Sequence, residues 1–390
     1  MRILHVTPTY EPAYRFGGPI RSVAGLCRAL ARQGEDVHVY TSSSDGRRDL
    51  DVPVDIPTLR DGVKVTYFKC AFPRRIYRAP NMARRLRSAA ERWDVIHAHS
   101  VFLWPTLTAA SIARRRDIPY LVSPRGMLEK DLIRQKSRWL KTAWIGLFER
   151  NNLANASAVH VTSIREAEEL RRFGWPLRAV EVIPNGVDAF SAPGTGPGQR
   201  FKELGLTQRP FVLYLGRIHW KKGLDRLIDA MNLVPDADLV MAGNDEEGYR
   251  ALLERRIAEL GLEGRVRWVG PVEGEMKRCC LAASSMVALC SYSENFGNTV
   301  LEAMSASKAV VVTPEVGLAP EVERGGAGLV CEGRPEALAA GIQRLLQDPI
   351  LAASYGERGR ALAGEYFDWE SVARRMRTLY DRILSEKRHR

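Results

Sequence analysis

Short runs of β-branched and apolar residues alternate with helix-like stretches along this chain, and the alternation occurs twice. The first series comprises residues 3–6, 37–40, 63–68, 95–98, 120–122 and 158–161; the second comprises 211–215, 239–241, 266–269, 286–290, 310–313 and 328–331. Strands kept apart by helices pair in parallel within a sheet covered on both faces, so the pattern predicts two α/β units in tandem with a cleft between them. Ile183-Pro184-Asn185-Gly186-Val187-Asp188 separates the two series with Pro and Asn-Gly turn signals, and a Pro/Gly-rich stretch at 192–198 follows. Together they read as an interdomain linker. The 390 residues suit that division, since domains commonly run to about 100–200 residues. Near the end, Val372, Met376, Leu379, Tyr380 and Ile383 recur at helical spacing, which predicts a last helix with one buried face.

Composition narrows the class of partner without choosing it. Hydrophobic residues make up 45% and charged residues 27%, as in an ordinary globular chain. The opening MRILHVTPTY meets polar residues and Pro8 too soon for a signal peptide, and no window approaches the roughly 18 apolar residues of a membrane span. Both predict a cytoplasmic protein, with peripheral attachment at the inner face of the membrane left open. Cys27, Cys70, Cys279, Cys280, Cys290 and Cys331 include no Cys-x-x-Cys pair, which predicts a reducing compartment and no metal site. A net charge of +12 fits an anionic partner, whether nucleic acid, anionic lipid or a phosphorylated small molecule.

The most informative segment is MVALCSYSENFGNTVLEAMSASKAVVV, residues 286–312, which reads as strand, polar loop, helix and strand. It places Glu294, Asn295, Phe296, Gly297, Asn298 and Thr299 at the carboxyl end of a strand, the edge where open α/β sheets bind ligands. The helix is expected to begin near Asn298 or Thr299, either of which can cap it, and its first N–H groups suit a phosphate. Gly297 lets the backbone approach closely. Were both helical, Glu294 and Glu302 would lie about 12 Å apart at ~1.5 Å per residue, beyond the roughly 5–9.5 Å of a glycosidase carboxylate pair. Taken alone, such spacing is better read as a solvated loop acid and a helix-surface acid, and it is the context that decides here. A second strand-to-loop passage, Gly216-Arg217-Ile218-His219-Trp220-Lys221-Lys222-Gly223, offers a forked cation at Arg217 and a mobile one at Lys222, a combination suited to a diphosphate. A third, Gly17-Gly18-Pro19 after the first strand, can turn backbone donors toward a ligand.

In order and content these segments resemble the retaining glycosyltransferases of glycosyltransferase family 4, bacterial cell-surface polysaccharide type. The resemblance runs through Ser293-Glu294-Asn295-Phe296-Gly297-Asn298-Thr299-Val300-Leu301-Glu302-Ala303-Met304, the Gly216 to Gly223 loop, Ile183 to Asp188 and the closing Phe367-Asp368-Trp369. It implies the GT-B fold: an acceptor domain over 1–190 completed by a helix at 368–390, and a nucleotide-sugar donor domain over 191–367, both Rossmann-like. It also implies that Glu302 holds the ribose, that Glu294 sits by the transferred sugar, and that Arg217 and Lys222 bind the diphosphate. Phe296, Gly297, Asn298, Thr299 and the Gly17-Gly18 loop would assist. The donor is a UDP- or GDP-sugar, the product keeps its anomeric configuration, and neither a cofactor nor a metal is required because Arg217 and Lys222 neutralise the leaving group. The chain departs from the family at Ser307 and Ala309, where relatives often have Gly and Pro, so the helix end there is expected to differ. Where relatives often carry an acceptor-side His, this chain has Ser123-Pro124-Arg125-Gly126, and Arg125 or His99 is the acceptor-side candidate.

Residues 130–151 mix Lys130, Arg134, Lys136, Arg138 and Lys141 with Trp139, Leu140, Trp144, Ile145, Leu147 and Phe148. The mixture suits an anionic membrane surface and a lipid-linked acceptor, and equally a core-packed helix with a wet basic face. A nicotinamide dehydrogenase is excluded: no GxGxxG follows the first strand, and the second ends in Tyr40-Thr41-Ser42-Ser43 without a ribose-binding acid. A GT-B epimerase or phosphorylase stays open on fold alone. A nucleic-acid-binding protein would explain the charge, but no recognition-helix or RNA motif accompanies it.

Overall fold

A computed structural model describes residues 1–14, 17–130, 133, 138–194, 201, 206, 209–245 and 247–389, the side chains of 138–140 excepted. The chain divides into two compact units, Met1–Gly186 with Trp369–Arg390, and Val187–Asp368. The first contains β1 (Arg2–Val6), β2 (Asp36–Ser42), a small ribbon of β3 (Ser44–Asp45) and β4 (Arg48–Asp49), β5 (Pro57–Arg60), β6 (Val63–Phe68), β7 (Val95–His99), β8 (Tyr120–Ser123), β9 (Ala158–Val161) and β10 (Val180–Val182). Ribbon apart, these form one sheet in the order β10-β9-β8-β7-β1-β2-β6-β5. It is parallel throughout except where the edge strand β5 runs antiparallel to β6. The β-branched runs became strands where expected. β5 and β10 carry no such signal: β5 is an exposed edge opening on Pro57, and β10 is Val-Glu-Val without a buried residue.

The second unit holds β11 (Phe211–Leu215), β12 (Asp238–Ala242), β13 (Val266–Trp268), β14 (Met286–Leu289), β15 (Val310–Val312) and β16 (Gly328–Val330). They form an all-parallel sheet in the order β13-β12-β11-β14-β15-β16. β11, β12, β14 and β15 are buried along their whole length, as strands covered on both faces must be. The chain fills one side of β11 first, then crosses to β14 and fills the other. The topological switch point therefore lies between β11 and β14, where open α/β sheets hold their ligands.

The last helix, Trp369–Arg388, packs on the helix Gly18–Arg32 of the first unit and buries Val372, Met376, Leu379, Tyr380 and Ile383, the five residues expected from their spacing. Trp369 fixes the docking. Its ring lies so near Gly25 and Gly186 that a Cβ on either would stand 2.2 Å or 2.4 Å from it. The stretch 183–188 is accordingly more than a linker. Its Ile183 carbonyl accepts from His160, its Asn185 side chain accepts from Arg125, and its Val187 N–H donates to the Phe367 carbonyl at 2.8 Å.

A directed hydrogen-bond chain runs through the first unit. The Ile183 carbonyl can only accept, so His160 Nε2–H donates to it at 2.8 Å, and His160 Nδ1 must accept from Ser123 Oγ–H at 2.7 Å. Ser123 Oγ then accepts from His97 Nε2–H at 2.7 Å, and His97 Nδ1 accepts from the Tyr380 hydroxyl at 2.7 Å. Both His97 and His160 must be neutral for this order to hold. Burial, reinforced by the Arg125 charge, pushes both His160 and His5 down to about 3. Burial first, then neighbouring histidines, pushes His97 and His99 well below the usual range. In the unfolded chain these rings take a proton near 6.5, while the folded ones refuse it until far lower pH. Stability is thus fully present above about 6.5 and is lost as pH falls toward 3, by up to about 1.4 kcal/mol per pH unit for each such histidine. Urea midpoints measured at pH 7.5 and 5.5 are expected to fall by several kcal/mol equivalent; equal midpoints would contradict the buried neutral chain.

Candidate active site

Two loops leave the carboxyl ends of the neighbouring strands β11 and β14. The first, 216–223, begins with Gly216 in a backbone conformation of φ +147° and is tied down where the Tyr214 hydroxyl donates to the Arg217 carbonyl at 2.6 Å. Burial above all, with the Glu294 charge second, pushes the Tyr214 phenol well above its ordinary range, so it stays a donor. The loop ends at Gly223, left-handed at φ +60°, where a Cβ would stand 2.0 Å from the Cys290 carbonyl oxygen. Only glycine permits that approach. The second loop, 290–297, leans on the first: Tyr292 N–H donates to the Lys221 carbonyl at 2.7 Å, and the Tyr292 hydroxyl donates to Asp225 at 2.8 Å. A third segment supports it from behind. Glu294 N–H donates to the Glu315 carbonyl, Gly317 N–H donates back to the Glu294 carbonyl, and a Cβ on Gly317 would meet the Asn295 carbonyl at 2.0 Å.

This bracing brings Lys222 and Glu294 into a direct ion pair, each less than a fifth exposed. They stand 72 positions apart in sequence. Arg217 lies exposed on the same first loop. The helix Asn298–Ser305 follows, but neither Asn298 nor Thr299 caps it as expected. The cap position is Gly297 at φ +104°, which has no side chain to cap with. The physical reason is local: a left-handed backbone at the cap suits glycine, and the first-turn N–H groups keep the partial positive charge an anion would meet. Glu302, one turn in, accepts from Lys277 Nζ at 2.7 Å. Phe296 is buried in the core with its ring 6.4 Å from that of Phe367, so any ligand contact at 296 goes through the main chain.

The first unit holds the remaining expected residues. Gly17 occupies the cap position of the helix Gly18–Arg32 at φ +81°. His99 ends β7 and is buried; its Nδ1 accepts from Arg125 at 3.3 Å and its Nε2–H donates to His5 Nδ1 at 2.9 Å. Arg125, left-handed at φ +56°, also donates to Asn185 Oδ1 at 2.8 Å and has no carboxylate within ion-pair distance among the described residues. Burial lowers its guanidinium to about 10. His5, His97 and His99 bring ring nitrogens within 4.8 Å of one another, the spacing of a metal cradle. The chemistry does not suit a cation, since both nitrogens of His97 are committed to Tyr380 and Ser123 and a buried guanidinium stands alongside.

Two families match the chain. The one described as Glycosyl transferases group 1 matches residues 198–362, which include Arg217, Lys222, Lys277, Glu294 and Glu302. The Glycosyl transferase 4-like domain matches residues 17–186. The chain is a glycosyltransferase. A D-inositol 3-phosphate glycosyltransferase of Xylanimonas cellulosilytica is 28% identical, over 97% of this chain and 95% of that one. A glycogen synthase of Mycobacterium tuberculosis is 29% identical, over 96% and 92%. Among solved structures, sucrose-phosphate synthase from Thermosynechococcus elongatus superposes with a TM-score of 0.80 at 23% identity, covering 99% of this chain and 100% of that one. HepE of Anabaena, in complex with UDP-glucose, does so at 0.76 and 22%, covering 98% and 99%. These likenesses show the GT-B fold of two Rossmann-like domains.

In this glycosyltransferase the helix after Gly297 does not end differently for lacking glycine. Ser307 adopts φ +57°, Ser307 N–H donates to the Met304 carbonyl at 3.0 Å, and Lys308 N–H donates to the Ala303 carbonyl at 2.9 Å. This is the Schellman arrangement usually built on glycine. A serine held there carries backbone strain, so Ser307→Gly is expected to raise unfolding stability by about 1 kcal/mol. A denaturant midpoint that is unchanged or lower would refute this.

The amphipathic stretch is only partly within view. Arg134 and Lys136 lie outside the described residues, as do the side chains of Arg138, Trp139 and Leu140. Further on, Trp144 Nε1–H donates to Glu149 at 2.9 Å, and the same carboxylate oxygen accepts the Phe102 N–H at 2.7 Å. Trp144 is thereby tethered inward, while Leu147 is 69% exposed. No helix of the described residues is long and apolar enough to cross a membrane. The described cysteines form no disulfide, and burial pushes the Cys280 and Cys290 thiols up to about 12.

Proposed function

We propose that this glycosyltransferase moves a hexose, with retention of configuration, from a UDP- or GDP-sugar to a saccharide or lipid-linked acceptor in polysaccharide biosynthesis. The observation that carries the reading is the meeting of Lys222 and Glu294 at the switch point, beside the start of the helix Asn298–Ser305 with Gly297 at its cap position. Departure of the nucleoside diphosphate builds charge on the leaving oxygen. Lys222, Arg217 and the amides of Gly297, Asn298 and Thr299 strengthen their grip as it builds, which lowers the barrier. Two cations in that place make a metal unnecessary. Glu302 takes the ribose hydroxyls and Glu294 the sugar. Because Glu294 is already committed to Lys222, attack from the donor's own face suits this geometry better than a glutamate nucleophile. The complex of HepE with UDP-glucose supports a UDP-glucose-like donor.

On the acceptor side, Arg125 is the stronger of the two earlier candidates, because His99 is buried and bonded at both nitrogens. A buried guanidinium with no carboxylate within ion-pair distance among the described residues suits an acceptor that bears a phosphate, as the substrate of the inositol 3-phosphate relative does by its name. The Gly17-Gly18 loop contributes backbone donors. Attachment to the inner face of the membrane would bring a lipid-linked acceptor within reach of the exposed Leu147 and neighbouring basic residues.

Steady-state kinetics across UDP-, GDP- and ADP-sugars are expected to show Glu302→Ala raising the donor KM, while Lys222→Ala lowers kcat by about 10²–10³-fold, the scale of removing one transition-state donor. Unchanged kinetics in both would defeat the assignment. Flotation with vesicles containing anionic lipid is expected to carry the protein upward; protein left at the bottom of the gradient would remove the membrane part of the proposal.

A further inference from the structure

Lys277 belongs to none of the motifs. It sits in the first turn of the helix Gly274–Ala283, which leads into β14, whereas Glu302 sits on the helix Asn298–Ser305, which leaves it. Their side chains meet at 2.7 Å, each about a quarter exposed. Glu302 Oε1 takes the Lys277 ammonium, and among the described residues Oε2 has no protein partner. A partly exposed pair of this kind adds little to stability. Nor is it needed to dock the two helices, because Lys308 already joins the same elements, donating to the Ala282 and Ser284 carbonyls at 2.6 and 2.9 Å. Val300, Leu301, Cys280 and Leu281 join them in the apolar core. The neighbouring Arg278 is paired with Glu275 and does not compete for Glu302.

We infer that Lys277 is a positioning residue for the donor nucleotide: it clamps one oxygen of Glu302 so that the other faces the ribose hydroxyls in a single ionised orientation. The inference rests on reading Glu302 as the ribose acceptor. Two physical effects act together. An unclamped glutamate on the second turn of a helix samples several rotamers, and each must be given up when the ribose binds. In addition, a bare carboxylate near a diphosphate is repelled by it, and the ammonium cancels that repulsion locally. Lys277 thereby makes the site read ribose without touching it.

The test is calorimetric binding of UDP, GDP and ADP to the full chain, followed by comparison of the tightest with its 2′-deoxy counterpart in wild type, Lys277→Met, Lys277→Arg and Glu302→Gln. Lys277→Met is expected to weaken the ribonucleotide roughly tenfold, as loss of a charge-assisted contact would, and the 2′-deoxynucleotide by less than about twofold on the same grounds. Lys277→Arg should restore most of the affinity, and Lys277→Met should add nothing in the Glu302→Gln background. The donor KM should rise in Lys277→Met with kcat nearly unchanged, unlike Lys222→Ala. Equal losses for both nucleotides would overturn the inference, as would wild-type affinity in Lys277→Met; the first outcome would mark Lys277 as a direct phosphate ligand or a structural residue. If Glu302→Gln binds the ribonucleotide as tightly as wild type, the reading of Glu302 fails instead, and if no nucleotide binds, the proposed function fails with it.

Discussion

The candidate site depends on one close approach of backbone to backbone. Gly223 lies against the Cys290 carbonyl, nearer than any Cβ would allow, so the loops after β11 and β14 are in contact along their length. Were they held apart by a side chain, Lys222 and Glu294 could not pair across 72 residues of sequence, and the cation would not stand beside the start of the helix Asn298–Ser305. Glycine at 317 performs the same service on the far side, letting the segment after β15 support Asn295. Parallel strands supply the rest of the order, because they deliver every loop of interest to one edge of the sheet.

Charge at this edge is arranged in pairs rather than as a bare positive patch. Lys222 faces Glu294, and Lys277 faces Glu302. A cation already neutralised by a carboxylate costs less to hold in a half-buried loop than an isolated one. The first unit solves the problem differently. Its histidines are kept neutral by burial and strung into a chain from Tyr380 to Ile183, with Arg125 left as the one cation beside them that lacks a carboxylate partner among the described residues.

Much of this was legible in the residues. Runs such as 211–215 and 310–313 are long enough and sufficiently β-branched to be strands in any context, and the spacing of Val372, Met376, Leu379, Tyr380 and Ile383 marks a buried helix face by periodicity alone. The misreadings are local and have local causes. Asn298 and Thr299 are good caps in general, but a left-handed cap at Gly297 displaced them. Ser307 lacks the glycine usual at a helix end and takes the same backbone conformation regardless, because tertiary packing holds it there. Phe296 lies in the segment that carries the family resemblance, and its ring is buried in the core.

Sequence alone determined the two α/β units, the loops that carry Arg217, Lys222 and Glu294, and the family, since periodicity and residue type along the chain encode each of these locally. Tertiary structure decided which of those residues meet. Lys222 with Glu294, Lys277 with Glu302, Arg125 with Asn185 and Trp369 against Gly25 are all joined through strand order and close packing, and such pairings depend on distances in space that no spacing along the chain records.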